Sequence, residues 1–213
     1  MIETIVAFGD SITYGTGVER NECWVSLLGK SLKGIKAVNA GVGGNTSAEG
    51  LARIDKDVLA YMPGLVLVEF GGNDSVHDTR AVSVAQFEKN LLTINEKVKA
   101  KGGEVVFVTF PPVINEWHAW YSDAYYAKWG GLDGCVEQYR EIIRKIATKL
   151  NRPLFDLDKL LREKIKAGKK EDYINKDGVH LTVIANRLIA DSIKIFLMQV
   201  QATNDKRQEK EAK

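Results

Sequence analysis

Cysteine is scarce in this 213-residue chain: Cys23 and Cys135 are its only two, far apart and without a CxxC spacing or a Cys/His cluster. That excludes a zinc-ribbon site and a disulfide scaffold, and leaves two ordinary thiols; neither metal nor cofactor is called for. Long apolar runs are also missing, since none approaches the roughly 18 to 20 residues needed to span a bilayer. Charge of one sign is not in excess either. Thirty basic against 28 acidic residues leave a net charge of +2 and a pI near 8.4, which is no footprint for nucleic acid or an anionic membrane. The expected partner is a small molecule. Nothing between Met1 and the first apolar run has room for a signal peptide. As written the chain is expected to be cytoplasmic, although a secreted form already trimmed of its leader would read the same. The length suits one domain, expected over residues 1–200, followed by a charged tail over 201–213 that lacks apolar periodicity and is expected to be disordered.

What is present is a repeated alternation of short apolar runs with amphipathic stretches. Ile5 to Phe8, Ile35 to Ala40, Leu65 to Phe70, Val105 to Phe110 and Pro153 to Leu157 read as five strands. Their near-continuous apolar character is that of strands covered on both faces. Between them run helical stripes, including Trp24-Leu27-Leu28-Leu32, Val84-Phe87-Leu91-Ile94-Val98 and Val136-Tyr139-Ile143-Ile146-Leu150, with a last helix carrying Ile184, Leu188, Ile193 and Phe196. Strands separated by helices imply right-handed crossovers and a parallel sheet. The expected fold is a flavodoxin-like three-layer α/β/α sandwich with a five-stranded parallel sheet.

Four polar or glycine-rich segments fall at strand exits or helix entries: Gly9 to Ser11, Gly41 to Asn45, Gly71 to Asp74, and Asp177 to His180. In an open α/β sheet the carboxyl edge is where ligands bind, so the topology brings all four to one rim. Together they supply what ester hydrolysis needs. Ser11 can act as nucleophile and His180 as base. Asp177, three residues earlier in the same loop, can hold one ring nitrogen while the other faces the serine. The Ser11 and Gly44 N–H groups and the Asn73 amide can converge as oxyanion donors.

At these residues the chain resembles the SGNH hydrolases, also called the GDSL family. Gly9-Asp-Ser11 matches the first block, Gly44 the second, Gly71-Gly-Asn-Asp74 the third and Asp177-Gly-Val-His180 the fifth, in the family's order. In detail it is similar to bacterial thioesterase I/lysophospholipase L1 proteins. The resemblance implies Ser11 as nucleophile, Gly44 and Asn73 as oxyanion donors, and Asp177 with His180 completing a triad. The activity implied is hydrolysis of carboxylic esters or thioesters through an acyl-enzyme, with carbohydrate O-acetyl esters as the alternative substrate.

Two rivals come from other classes. Gly41-x-Gly43-Gly44 opens a helix after a strand, as in nucleotide-binding modules, but lacks the full G-x-G-x-x-G spacing. A non-catalytic carbohydrate or lipid binder on the same fold would have no use for a paired Asp and His beside a serine. One stretch falls outside the motif set. Residues 111–132 lose regular periodicity and hold Trp117, Trp120 and Trp129, three of the four tryptophans, beside Tyr121, Tyr125 and Tyr126. Trp117, Trp120, Tyr121 and Tyr125 are expected to wall the substrate site, and His77 and His118 to be surface or lining residues.

Overall fold

A computed structural model describes residues 3–118 and 123–211. Its centre is a five-stranded sheet of β1 (Thr4–Gly9), β2 (Lys36–Gly41), β3 (Leu65–Glu69), β4 (Glu104–Val108) and β5 (Leu154–Phe155) in the order β2-β1-β3-β4-β5, every neighbour parallel. This is the flavodoxin-like order, with its topological switch point between β1 and β3. The helices are α1 (Ser11–Tyr14), α2 (Trp24–Ser31), α3 (Ser47–Asp57), α4 (Val84–Ala100), α5 (Asp123–Tyr126), α6 (Leu132–Lys149), α7 (Leu157–Ala167) and α8 (Val183–Glu211).

Successive strand residues feed two separate apolar layers, as a pleat requires. Ile5 and Ala7 of β1, Leu65 and Leu67 of β3, and Val106 and Val108 of β4 pack with Trp24 and Leu28 of α2, Leu161 of α7 and Ile189 and Ile193 of α8. Val6 and Phe8, Val66 and Val68, and Val105 and Phe107 face the other way. They meet Ile54 of α3, Phe87, Leu91 and Ile94 of α4, and Ile143 and Ile146 of α6. The three central strands are therefore covered on both faces, which is why their sequences are continuously apolar.

Local caps place the helices. Thr46 accepts from the Glu49 N–H while the Glu49 carboxylate accepts from the Thr46 N–H, a complete capping box on α3. Where β4 ends, Arg140 of α6 lies wholly buried and donates to the carbonyls of Phe110 (3.0 Å) and Pro111 (2.6 Å). Asp133, Glu137 and Asp158 surround that guanidinium. The chain leaving β4 is thus held by a side chain where strand pairing has stopped.

Two expectations differ. The segment 111–132 is not wholly irregular: α5 and short 3-10 turns at Asn115–Trp117 and Ala127–Trp129 occupy it, and α6 begins at Leu132. The break expected at Gln201 is absent, because α8 continues to Glu211. That stretch lacks apolar periodicity, but it contains no Gly or Pro and is rich in Gln, Lys, Glu, Arg and Ala, which favour helix without any packed face. Among the described residues, no helix is long and apolar enough to cross a membrane.

Candidate active site

Ser11 is delivered by β1. Asp10 caps α1, its Oδ1 accepting from the Ile12 N–H at 2.9 Å, so the chain turns within two residues of the strand end. The neighbouring strand must come very close for this to work. A Cβ on Gly41 would lie 2.2 Å from the Tyr14 nitrogen, so only glycine lets β2 exit alongside α1.

His180 arrives from the opposite end of the chain on a loop pinned at both sides. Ile174 and Leu181, both buried, form an antiparallel bridge, and the Asn175 N–H donates to the His180 carbonyl at 2.7 Å. Gly178, at φ +80°, supplies the left-handed turn that brings Asp177 back over the imidazole. There His180 Nε2 lies 2.9 Å from Ser11 Oγ, and His180 Nδ1 lies 2.7 Å from Asp177 Oδ2. The other Asp177 oxygen accepts from the Val179 and His180 N–H groups, each at 2.9 Å. Partial burial pushes the Asp177 carboxyl up, but these backbone N–H groups and the His180 ring outweigh it and hold it below the usual carboxylate range. It stays ionised beside the imidazole.

Asn73 stands in a 3-10 turn, Asn73–Ser75, at the exit of β3. Its Nδ2 donates to Asp10 Oδ2 (3.0 Å) and to the Asn45 carbonyl (3.1 Å), tying the first, second and third motif segments together. Asp74, beside it, accepts from the Ser47 N–H and hydroxyl at the start of α3. Burial pushes Asp74 up to about 6 despite those bonds. On the glycine turn, a Cβ on Gly43 would lie 4.0 Å from that of Ser11, and the Gly44 carbonyl accepts from Arg80 Nη1 at 2.9 Å.

Ser11, Asn73, Asp177 and His180 line one cleft of about 550 Å3, its open mouth included. The rest of the wall is mainly apolar: Val76, Phe110, Val113, Leu132, Val136 and Val179. His118 also lines it, and its own burial pushes its imidazole below the usual value. Trp117 and Tyr125 do not line this cleft. Trp117 packs against the core under the Lys170 ammonium, and Tyr125 stacks on His77 with ring centroids 3.6 Å apart. Tyr126 is buried and its hydroxyl accepts from the His77 N–H. Aromatics so close in sequence satisfy one another first. Trp120 and Tyr121 lie outside the described residues.

Sequence reasoning missed the apolar wall, because its members sit on four separate segments. It also passed over Glu69, which interrupts the apolar run of β3 and lies fully buried directly across from Gly9. A charged residue inside a doubly covered strand was the available signal.

The chain is similar to known proteins over most of its length. Residues 7–188 match the GDSL-like lipase/acylhydrolase family. Esterase TesA of Pseudomonas aeruginosa is 36% identical over 116 residues, covering 52% of this chain and 56% of that protein. Thioesterase 1/protease 1/lysophospholipase L1 of Escherichia coli K12 is 28% identical over 190 residues, 89% of this chain and 80% of that one. Among solved structures, the acetyl xylan esterase AlAXEase superposes with a TM-score of 0.72 at 29% identity, covering 89% of this chain and 97% of that one. With its family blocks on one rim and a match that spans nearly the whole sheet, the chain belongs to the GDSL-like lipase/acylhydrolase family of ester-hydrolysing enzymes.

Proposed function

We propose that Ser11 is the nucleophile, His180 the general base and Asp177 the orienting carboxylate of an acyl-transfer reaction on carboxylic esters or thioesters. The observation that carries this reading is the relay Ser11 Oγ, His180 Nε2, Nδ1, Asp177 Oδ2, with spacings of 2.9 and 2.7 Å, opening onto an apolar cleft. With its Nδ1 proton committed to Asp177, the imidazole presents an Nε2 lone pair to the hydroxyl. Ser11 Oγ attacks the acyl carbon as its proton passes to Nε2, and His180 returns that proton to the leaving alcohol or thiol. Water, deprotonated by the same nitrogen, then releases the acid. The Ser11 and Gly44 N–H groups and Asn73 Nδ2 serve as oxyanion donors. Asn73 already gives one N–H to the Asn45 carbonyl, so that hydrogen is shared or redirected when the oxyanion forms.

The acyl group is assigned to the wall of Val76, Phe110, Val113, Leu132, Val136 and Val179, whose apolar side chains fit a hydrocarbon chain. Trp117, Trp120, Tyr121 and Tyr125 are proposed to bind the part of a large substrate that this wall does not hold. A sugar-borne acetyl ester is the second reading, supported by the likeness to an acetyl xylan esterase. A chain-length series of p-nitrophenyl esters run beside acetylated xylan separates the two. Ser11→Ala is expected to abolish hydrolysis of all of them with an unchanged circular dichroism spectrum. More than a few per cent residual kcat in a clean preparation overturns the assignment.

A further inference from the structure

Two buried acids, Asp10 and Glu69, meet under the site. In the register of β1 against β3, Gly9 pairs with Glu69, which places the Glu69 side chain beneath Asp10. Both residues are fully buried, and their carboxyl groups lie within hydrogen-bond reach of each other. The space is closed: a Cβ on Gly9 would sit 2.7 Å from Glu69 Oε2. Glu69 Oε2 accepts from the Thr13 hydroxyl at 2.9 Å, whereas Glu69 Oε1 is buried and receives no hydrogen bond. Among the described residues no ion pair reaches either acid. Arg53, whose guanidinium reaches the Gly9 carbonyl, spends its other donors on the Ala40 carbonyl, Asn45 and Asp57. Asp74 adds a further negative charge that acts on Asp10.

Two carboxylates cannot face each other in a dry site without a counter-charge. Asp10 accepts from Ile12 N and Asn73 Nδ2, whereas the side-chain donor to Glu69 is the Thr13 hydroxyl. The geometry points to Glu69 as a positioning residue: its neutral carboxylic acid donates a hydrogen bond to the Asp10 carboxylate, and so fixes the oxygens that hold the Asn73 amide and the start of the Ser11 helix. Burial, which pushes Glu69 well above the usual carboxylate range and Asp10 to about 7, agrees with the proton residing on Glu69. One added proton both turns a pair of acceptors into a donor and an acceptor and uses the buried oxygen that otherwise has no partner.

The catalytic consequence rests on the assignment of Asn73 to the oxyanion site, but the proton itself can be observed without turnover. Infrared difference spectra at pH 7 between wild type and Glu69→Gln are expected to show loss of a protonated-carboxyl C=O band. Retention of the wild-type band overturns the proposal whatever the enzyme hydrolyses. In turnover, Glu69→Ala is expected to lower kcat about 10- to 100-fold with KM within about threefold, because a displaced oxyanion donor acts in the transition state. Glu69→Gln, which keeps a donor toward Asp10, is expected to recover kcat to within about fivefold of wild type. A Gln variant as impaired as the Ala variant shows that donation to Asp10 is not what Glu69 contributes. If Glu69→Ala does not fold, the infrared difference and the Gln variant still decide. Loss of the band together with a fully active Ser11→Ala would keep the buried proton and discard Ser11 as the nucleophile.

Discussion

Replacing Asp177 by Asn tests the relay more sharply than removing any one atom, since the shape is kept and only the direction of one hydrogen bond changes. In the protein Oδ1 accepts from two backbone N–H groups at 2.9 Å, and Oδ2 accepts from the His180 ring at 2.7 Å. An asparagine must keep its carbonyl on the two N–H groups. Reversing it would forfeit two hydrogen bonds worth about 1 kcal/mol each and leave two donors facing an NH2, at about 1 to 3 kcal/mol apiece. The NH2 therefore points at Nδ1, which can accept only if its proton has moved to Nε2. That nitrogen then donates toward Ser11 Oγ and cannot take its proton. We expect kcat to fall about 10⁴-fold, equivalent to about 5.5 kcal/mol of barrier. The assay is steady-state hydrolysis of p-nitrophenyl butyrate, with competent sites counted by the acylation burst and the His180 tautomer read by 15N NMR. A variant that keeps more than about a tenth of wild-type kcat, or an imidazole that still carries its Nδ1 proton, would refute the reasoning.

Other outcomes follow from particular contacts. Val136→Phe fills the wall that faces Ser11 and is expected to move the preferred p-nitrophenyl ester to shorter chains while acetate hydrolysis changes little; a uniform loss at all lengths would place the acyl group elsewhere. Gly41→Ala forces a Cβ to within 2.2 Å of the Tyr14 nitrogen, a backbone atom that cannot swing away, and is expected to cost about 2 to 3 kcal/mol in urea unfolding; a midpoint within error of wild type would mean the strand exit relaxes freely. The melting temperature is expected to be higher at pH 5 than at pH 7. Asp10 and Asp74, held up at about 7 and about 6, bind protons more tightly when folded, so stability declines as pH rises through that window by at most about 1.4 kcal/mol per unit for each group. The half-buried His118 opposes this, as do carboxyls held low in the folded protein such as Asp133, Asp156 and Asp177, and a lower melting temperature at pH 5 would show that these, not Asp10 and Asp74, dominate.

Much of this was legible from the chain because the information is local. The strand tips are marked by apolar runs that stop at glycine, and Asp177 and His180 lie three residues apart, so a single loop specifies both. Ser11, Gly44, Asn73, Asp177 and His180 are brought to one rim, as their positions after strands or before helices predict, although Gly44 is not part of the cleft's wall. The contact between Glu69 and Asp10 is different in kind. It depends on the register of β3 against β1, and only the interruption of an apolar run hinted at it. Tyr125 and Trp117 could not be assigned from composition, because a cluster of rings has the same sequence whether it faces a ligand or its own neighbours. The continuation of α8 beyond Gln201 escaped for the opposite reason. Helix propensity acts without periodicity, and periodicity was the signal being followed.

Ser11 and His180, the proposed nucleophile and base, are 169 residues apart in the chain. During synthesis, Ser11 leaves the ribosome long before His180 is made, and on this assignment it remains an ordinary hydroxyl until the 174–181 loop docks against the sheet. On the proposed assignment, acyl transfer waits for that closure, so activity is expected only once the two distant segments have met. For the same reason, turnover measured during refolding is a clock for the joining of the chain's two ends, and it should lag behind the recovery of helical signal by the time that joining takes.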